Sequence, residues 1–153
     1  GGGTGTHWID AELGIFTELQ VGSYVFMDVQ YGECDLTGAG DAPYETALMI
    51  DASVISANHV GLVTIDAGYK AMATDADGPA VIDGAAPQTA FIFMGDEHGA
   101  LLPGDGMQLS LGARVSLRVP HCDPTVNLYD HYHVVRGQTL EAIWPVSARG
   151  RSR

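Results

Sequence analysis

A mostly-β fold with Gly-rich turns follows from three features of the sequence. Its 20 glycines and 7 prolines among 153 residues exceed the usual share of about 12%, and they fall in small groups between apolar runs, as turn punctuation does. The apolar runs are short and rich in Val and Ile, and some alternate with polar residues, which is a strand pattern. No segment holds a helical period over three turns, and no internal repeat is present. With 46% apolar residues, the chain can bury a core of single-domain size.

Taken in order, the opening Gly1-Gly2-Gly3-Thr4-Gly5-Thr6 begins without methionine or lead-in, so the chain reads as one entered partway through a longer protein. Residues 23–27 form a β-rich run, and residues 31–43, with Gly38, Gly40 and Pro43, form a loop. Residues 48–57 and 60–65 read as two strands joined around Asn58 and His59, a hairpin. A polar connection over 75–87 leads to short strands at 90–94 and 97–102. Pro103-Gly104-Asp105-Gly106 is a turn signal. Residues 114–119 alternate polar with apolar, as a strand with one buried face does. They deliver the chain to Pro120-His121-Cys122-Asp123-Pro124. Residues 132–135 and 140–144 flank Arg136-Gly137-Gln138, the pattern of a second hairpin.

Charge narrows the function classes. The chain carries 7 basic and 19 acidic residues, a net charge of −12, and Lys70 is its one lysine. Such a surface repels phosphate backbones and anionic lipid, so neither nucleic acid nor a membrane surface is an expected partner. The apolar run at 90–94 is far below the roughly 18 residues of a membrane span, and no N-terminal signal pattern is present. Cys34 and Cys122 stand far apart with no CxxC partner, which leaves a disulfide scaffold unsupported and makes a reducing, cytoplasmic setting the expectation.

Few constellations could carry chemistry. The Gly/Thr opening clusters unhindered N–H groups beside two hydroxyls, the composition of an anion nest for a phosphate; a flexible Gly-rich terminus is the competing reading. His121 and Asp123, at i and i+2, project to the same side of an extended segment, with Cys122 facing away. Imidazole plus carboxylate can hold a divalent ion and leave its other positions to water or substrate. The competing reading has Asp123 capping the turn while His121 bonds locally. His131 and His133 form another same-face pair, but Glu141 lies too far along the chain for a cupin-type metal site. Asp96-Glu97-His98-Gly99 reads as a polar turn. Cys122 could be a nucleophile, but nothing in the sequence lowers its pKa.

Gly2-Gly3-Thr4-Gly5-Thr6, then Thr17-Glu18-Leu19-Gln20-Val21-Gly22-Ser23-Tyr24-Val25-Phe26-Met27-Asp28, then Glu97-His98-Gly99 and Pro120-His121-Cys122-Asp123-Pro124-Thr125-Val126-Asn127-Leu128 resemble, in this order, the C-terminal part of the D-threonine aldolase and D-serine dehydratase family. The resemblance implies a pyridoxal 5'-phosphate (PLP) enzyme of the alanine-racemase-like fold, fold type III, with a (β/α)8 barrel that carries the cofactor and a C-terminal β-barrel or sandwich domain. It implies three segments: the end of the barrel with its phosphate loop at 1–10, the β-domain at 11–148 and a tail at 149–153. Gly2, Gly3, Thr4 and Gly5 inherit the contact to the cofactor phosphate. His121 and Asp123 inherit the metal, for which Mn, Mg, Co and Zn all qualify. The residue at the second ligand position is Asp123, as in the aldolases, where the dehydratases have cysteine.

The implied reaction is retro-aldol cleavage of a D-β-hydroxy-α-amino acid to glycine and an aldehyde. In the family the Schiff-base lysine precedes the Gly/Thr loop, so this chain lacks it, and Lys70, in a structural stretch, does not replace it. The expectation is therefore a metal-binding C-terminal domain that is inactive alone, partnered by a barrel domain or by a second copy in a homodimer. The alternatives are a D-serine dehydratase-type lyase, a non-catalytic dimerisation or metal-binding module, and a cupin-like metal enzyme using His131 and His133.

Overall fold

The structure is a computed structural model, described for residues 1–86, 88–104 and 108–151. Half of the turn expected at 103–106, Pro87 of the 75–87 connection and the last two residues of the expected tail lie outside those residues.

Among the described residues eight strands carry the fold, as the mostly-β expectation requires: β1 (Met49–His59), β2 (Leu62–Ile65), β3 (Ala80–Asp83), β4 (Ala90–Phe93), β5 (Gly99–Leu102), β6 (Arg114–Arg118), β7 (His131–Arg136) and β8 (Thr139–Pro145). The first six form one antiparallel sheet in the order β3-β6-β1-β2-β5-β4. β1 is the hinge of this sheet. Residues 49–53 pair with β6, whereas residues 54–59 pair with β2 through two register shifts. Bulges of this kind bend a strand and increase its twist. The sheet curls so far that its two edges, β3 and β4, touch. Alternation along the strands then turns one face inward: Ala52 and Val54 from β1, Val63 and Ile65 from β2, and Val115 and Leu117 from β6 form the core, which Met72 and Leu109 close.

β7 and β8 form a separate two-stranded sheet around Gly137 and Gln138, as expected. Its side chains are mostly exposed, Ile143 and Trp144 among them. Among the described residues no helix is long and apolar enough to cross a membrane.

Several expectations are corrected. Residues 23–27 are not a strand: Ser23–Val25 is a 3-10 turn, the N–H groups of Phe26 and Met27 donate to Ser23 O, and Met27 takes a left-handed φ of 53°. Local hydrogen bonding here overrides β-propensity. β3 lies within the stretch read as connection, because four residues between Gly78-Pro79 and Gly84 are too few to show alternation. The first hairpin turns at Val60 and Gly61, where Gly61 supplies a φ of 76°, and not at Asn58 and His59. Among the described residues three short helices, α1 (His7–Leu13), α2 (Val29–Gly32) and α3 (Cys122–Val126), are also present. None spans enough turns to produce a detectable period.

Candidate metal centre and the Gly/Thr loop

The site is built where β6 runs out. After Arg118 the chain passes beneath α2, with the N–H of Val29 donating to Val119 O at 3.0 Å and that of Gln30 to Pro120 O at 3.2 Å. His121 then caps α3 with an extended backbone, φ −142° and ψ 121°, and Cys122 and Asp123 are already helical. Pro124 is tolerated because a helix needs no N–H in its first turn. The segment is therefore not extended through Asp123, and the same-side argument fails as geometry. The two side chains meet nonetheless across the helix start, His121 Nε2 lying 3.2 Å from Asp123 Oδ2.

Three residues from elsewhere hold this pair. Asp75 Oδ2 lies 2.8 Å from His121 Nδ1. Ser23 Oγ donates to Asp123 Oδ2 at 2.9 Å. Asp28, fully buried, accepts from the N–H of Cys122 at 2.7 Å through one oxygen and from that of Tyr31 at 2.8 Å through the other. It thus caps α2 and satisfies the first N–H of α3, where His121 makes no side-chain cap bond. Burial of the imidazole opposes its charge, but hydrogen bonding and charge from Asp75, and then from Asp123, outweigh burial and raise the His121 pKa above its ordinary 6.5. The hydrogen bond to His121 lowers Asp75 in turn.

Cys122 faces inward. Its side chain is fully buried, and desolvation, reinforced by Asp28 and Asp123, pushes its thiol up to about 12. A thiol so buried and so weakly acidic is no nucleophile at neutral pH. His131 and His133 are exposed on β7. Among the described residues no group of three or more His, Cys, Asp or Glu side chains is arranged to hold a metal, which applies to His131 and His133 and to His121 and Asp123 alike, so either pair would leave its remaining positions to water or substrate. Lys70 pairs on the surface with Glu97 at 3.1 Å and Asp96 at 3.6 Å, and its pKa is raised, first by the hydrogen bond to Glu97. A Schiff-base lysine needs the opposite shift.

At the other end of the chain, Gly2 takes φ 69°, and a side chain there would strike Asp10 Oδ2. Thr4 is buried; its Oγ1 accepts from the N–H of Tyr24 at 3.2 Å, and its carbonyl accepts from His7 Nδ1 at 2.8 Å. Thr6 Oγ1 donates to Asp10 Oδ2 at 2.8 Å. The Thr6 hydroxyl proton is thus taken up by Asp10, whereas Thr4 Oγ1 serves only as an acceptor and keeps its proton. Around Gly3 and Gly5 the backbone is open, a Cβ meeting nothing nearer than 4.0 Å and 3.6 Å respectively. Tyr44 braces the loop from outside it, its hydroxyl donating to His7 Nε2 at 3.0 Å. A cavity of about 270 Å³ between Ala57, His59, Leu62 and Pro103 contains none of these residues.

Sequence reasoning missed Asp75, Ser23, Asp28, His7 and Tyr44. Asp75 lies in a stretch read as solvated connection, and Asp28 is a lone acid after a β-rich run. Asp28 could have been found as an N-cap, since Asp28-Val29-Gln30-Tyr31 opens a helix.

A curled antiparallel β-domain with a His–Asp pair at the end of one strand is the class these features define. The same fold occurs in an alanine-racemase-like protein from Idiomarina loihiensis, with a TM-score of 0.77 at 20% identity over 94% of this chain and 42% of that one. More specifically, the "Putative serine dehydratase domain" family model matches residues 47–135. The chain belongs to that family. It is 41% identical over 154 residues to 3-hydroxy-D-aspartate aldolase from Paracoccus denitrificans (strain Pd 1222), covering 99% of this chain and 39% of that protein. Identity is again 41%, over 100% of this chain and 40% of the relative, to D-threonine aldolase from Arthrobacter sp.. The crystal structure of D-threonine aldolase from Filomicrobium marinum superposes with a TM-score of 0.89 at 37% identity, covering 99% of this chain and 41% of that one. The chain spans about two fifths of the length of these relatives.

Proposed function

We propose that this chain is the C-terminal metal-binding domain of a PLP- and divalent-metal-dependent lyase of the D-threonine aldolase type, which cleaves D-β-hydroxy-α-amino acids to glycine and an aldehyde. The observation that carries this reading is the 3.2 Å approach of His121 Nε2 to Asp123 Oδ2. Two cis ligands at bond lengths of about 2.1 Å lie about 3.0 Å apart, so the pair fits one divalent ion without rearrangement. Mn²⁺, Mg²⁺, Co²⁺ and Zn²⁺ all take one imidazole, one carboxylate and waters. The ion would acidify the substrate β-hydroxyl, directly or through a water, while PLP would serve as the electron sink for the carbanion at Cα.

The chain's own residues hold and orient. His121 and Asp123 place two donors at the start of α3 and leave the remaining positions open. Gly2, Gly3, Thr4 and Gly5 would hold the phosphate through main-chain N–H groups and the Thr4 hydroxyl, which accepts from Tyr24 N–H and keeps its own proton to donate, while the Gly3 N–H is shared with Thr6 Oγ1 at 3.4 Å. We assign residues 1–10 to the end of the barrel, 11–148 to the β-domain and 149–153 to a tail. Exposed Leu13, Ile15 and Phe16, and Ile143 and Trp144 on β8, are surfaces that a barrel domain or a second copy would cover. The single lysine is an exposed ion-pair partner, so the chain alone does not turn over substrate. Both thiols are free, in keeping with a reducing cytoplasm.

The test uses the full-length protein with His121→Ala and Asp123→Ala. Loss of bound divalent metal together with loss of glycine and acetaldehyde release from D-threonine is expected. Cleavage retained with unchanged metal dependence overturns the reading. Pyruvate from D-serine without D-threonine cleavage instead identifies a dehydratase, and a protein with intact metal binding but neither activity is a non-catalytic module.

A further inference from the structure

We propose that Asp75 is a positioning residue for His121, fixing the imidazole tautomer that leaves Nε2 free to coordinate, and that Ser23 plays the matching part for Asp123. The proposal rests on the reading of His121 and Asp123 as metal ligands and adds the groups that prepare them. A carboxylate only accepts hydrogen bonds. Both ring nitrogens face a carboxylate, Asp75 Oδ2 at 2.8 Å from Nδ1 and Asp123 Oδ2 at 3.2 Å from Nε2; the shorter contact holds the proton of the neutral ring on Nδ1 and leaves Nε2 to an ion shared with Asp123. The two ring nitrogens point apart, so Asp75 serves the imidazole from the edge opposite the ion. On the other ligand, the Ser23 hydroxyl donates to the Asp123 carboxylate at 2.9 Å from a residue only 6% exposed.

Asp75 is more than a surface acid that happens to lie nearby. The segment that carries it is fastened to α3 by side chains of that helix and the residues after it. Thr125 Oγ1, buried at 1% exposure, accepts from the N–H of Ala73 at 2.9 Å and donates to His121 O at 2.7 Å. One hydroxyl therefore ties the carrier of Asp75 to the main chain of the very histidine it orients. Tyr129 adds a second fastening, its hydroxyl donating to Ala71 O at 2.7 Å. Further back, the N–H groups of Tyr69 and Lys70 donate to Gly95 O and Asp96 O. A carboxylate delivered by a backbone held at this many points can set a ring orientation, which a freely moving acid cannot.

The test is a titration of MnCl₂ into the metal-free full-length protein, comparing wild type with Asp75→Asn, Asp75→Glu and Asp77→Asn. The Asn variant keeps the size of the side chain but can turn its NH₂ toward Nδ1 and favour the wrong tautomer. It is expected to weaken Mn²⁺ binding about 10- to 100-fold, the usual cost of losing such an outer partner. Asp75→Glu should recover part of that loss. Asp77→Asn removes the same charge two residues away and should change affinity by less than about 3-fold. A ¹⁵N spectrum of the metal-free protein, recorded where His121 is neutral, should show Nδ1–H in wild type and a gain of Nε2–H in Asp75→Asn. An urea midpoint for each variant separates orientation from unfolding. Wild type that binds Mn²⁺ while Asp75→Asn matches either wild type or Asp77→Asn overturns this inference alone, as does an Nε2–H tautomer in wild type. Wild type that takes up no Mn²⁺ overturns the metal reading and this inference with it.

Discussion

Replacing Asp28 with alanine cuts the link between α2 and the helix that carries the candidate metal ligands. Asp28 accepts from the N–H groups of Tyr31 at 2.8 Å and Cys122 at 2.7 Å while fully buried. In the alanine variant the cost of burying the carboxylate disappears along with its bonds, which removes most of the charge term on both sides. What remains is a Cys122 N–H buried with no acceptor, worth about 1–3 kcal/mol, and an uncapped α2, worth about 1 kcal/mol. The expected loss is about 2–4 kcal/mol. At about 2–4 °C per kcal/mol for a chain of this size, Tm should fall by about 5–15 °C. Asp28→Asn keeps one acceptor but turns an NH₂ group toward the second N–H, so it should lose at least half as much. Equilibrium urea unfolding, followed by circular dichroism with wild type measured in parallel, reads both. An Asp28→Ala variant within about 1 kcal/mol of wild type would refute the argument that this carboxylate joins the two helices.

Thiol reactivity and pH offer two further checks. Under native conditions a disulfide reagent should modify exposed Cys34 and spare Cys122, whose burial and neighbouring carboxylates push its pKa up to about 12, until the chain is unfolded; two rapidly reacting thiols would contradict the inward orientation of Cys122. Because the folded His121 pKa is raised, its contribution to metal-free stability is complete below about pH 6.5 and is lost as pH rises through the elevated folded value, whereas the lowered Asp75 pKa adds stability that is lost only as pH falls through the acid range. Urea midpoints in a chelator between pH 5.5 and 8 should therefore decline with pH in wild type and flatten in His121→Gln, with the same slope in both as the contrary result; divalent metal should reverse the trend, because it must displace the His121 proton.

The strands were legible where they were long or sharply punctuated. β1, β6 and the β7–β8 hairpin announce themselves through alternation and flanking glycines. β3 stayed hidden because four residues cannot display a period. At the candidate site, His121 and Asp123 could be singled out as a local motif, while the residues that hold them could not. Ser23 looked like the start of a strand, and Asp75 resembled any acid in a polar loop. Their roles depend on the fold of β1 and the path of residues 66–75, which no local pattern encodes. The i, i+2 argument expected two side chains to lie together, and they do, but through an incorrect conformation: proline at the third helical position looks like a turn breaker until the helix start is seen.

Sequence separation gives the His121 environment a thermodynamic meaning. Ser23 reaches Asp123 across 100 residues and Asp75 reaches His121 across 46. If the proposed metal site holds, a short peptide carrying His121 and Asp123 keeps both candidate ligands and neither outer partner, so the unfolded chain would offer an ion only the weak half of the site. Preference for the folded state is what couples an ion to stability: at a free concentration 100 times its dissociation constant it adds about 2.7 kcal/mol, less whatever the unfolded chain retains. Under the proposed metal site, damage to the curled sheet far from His121 should accordingly surface as a weaker apparent metal affinity, which would make a bound ion a gauge of how completely the domain has folded.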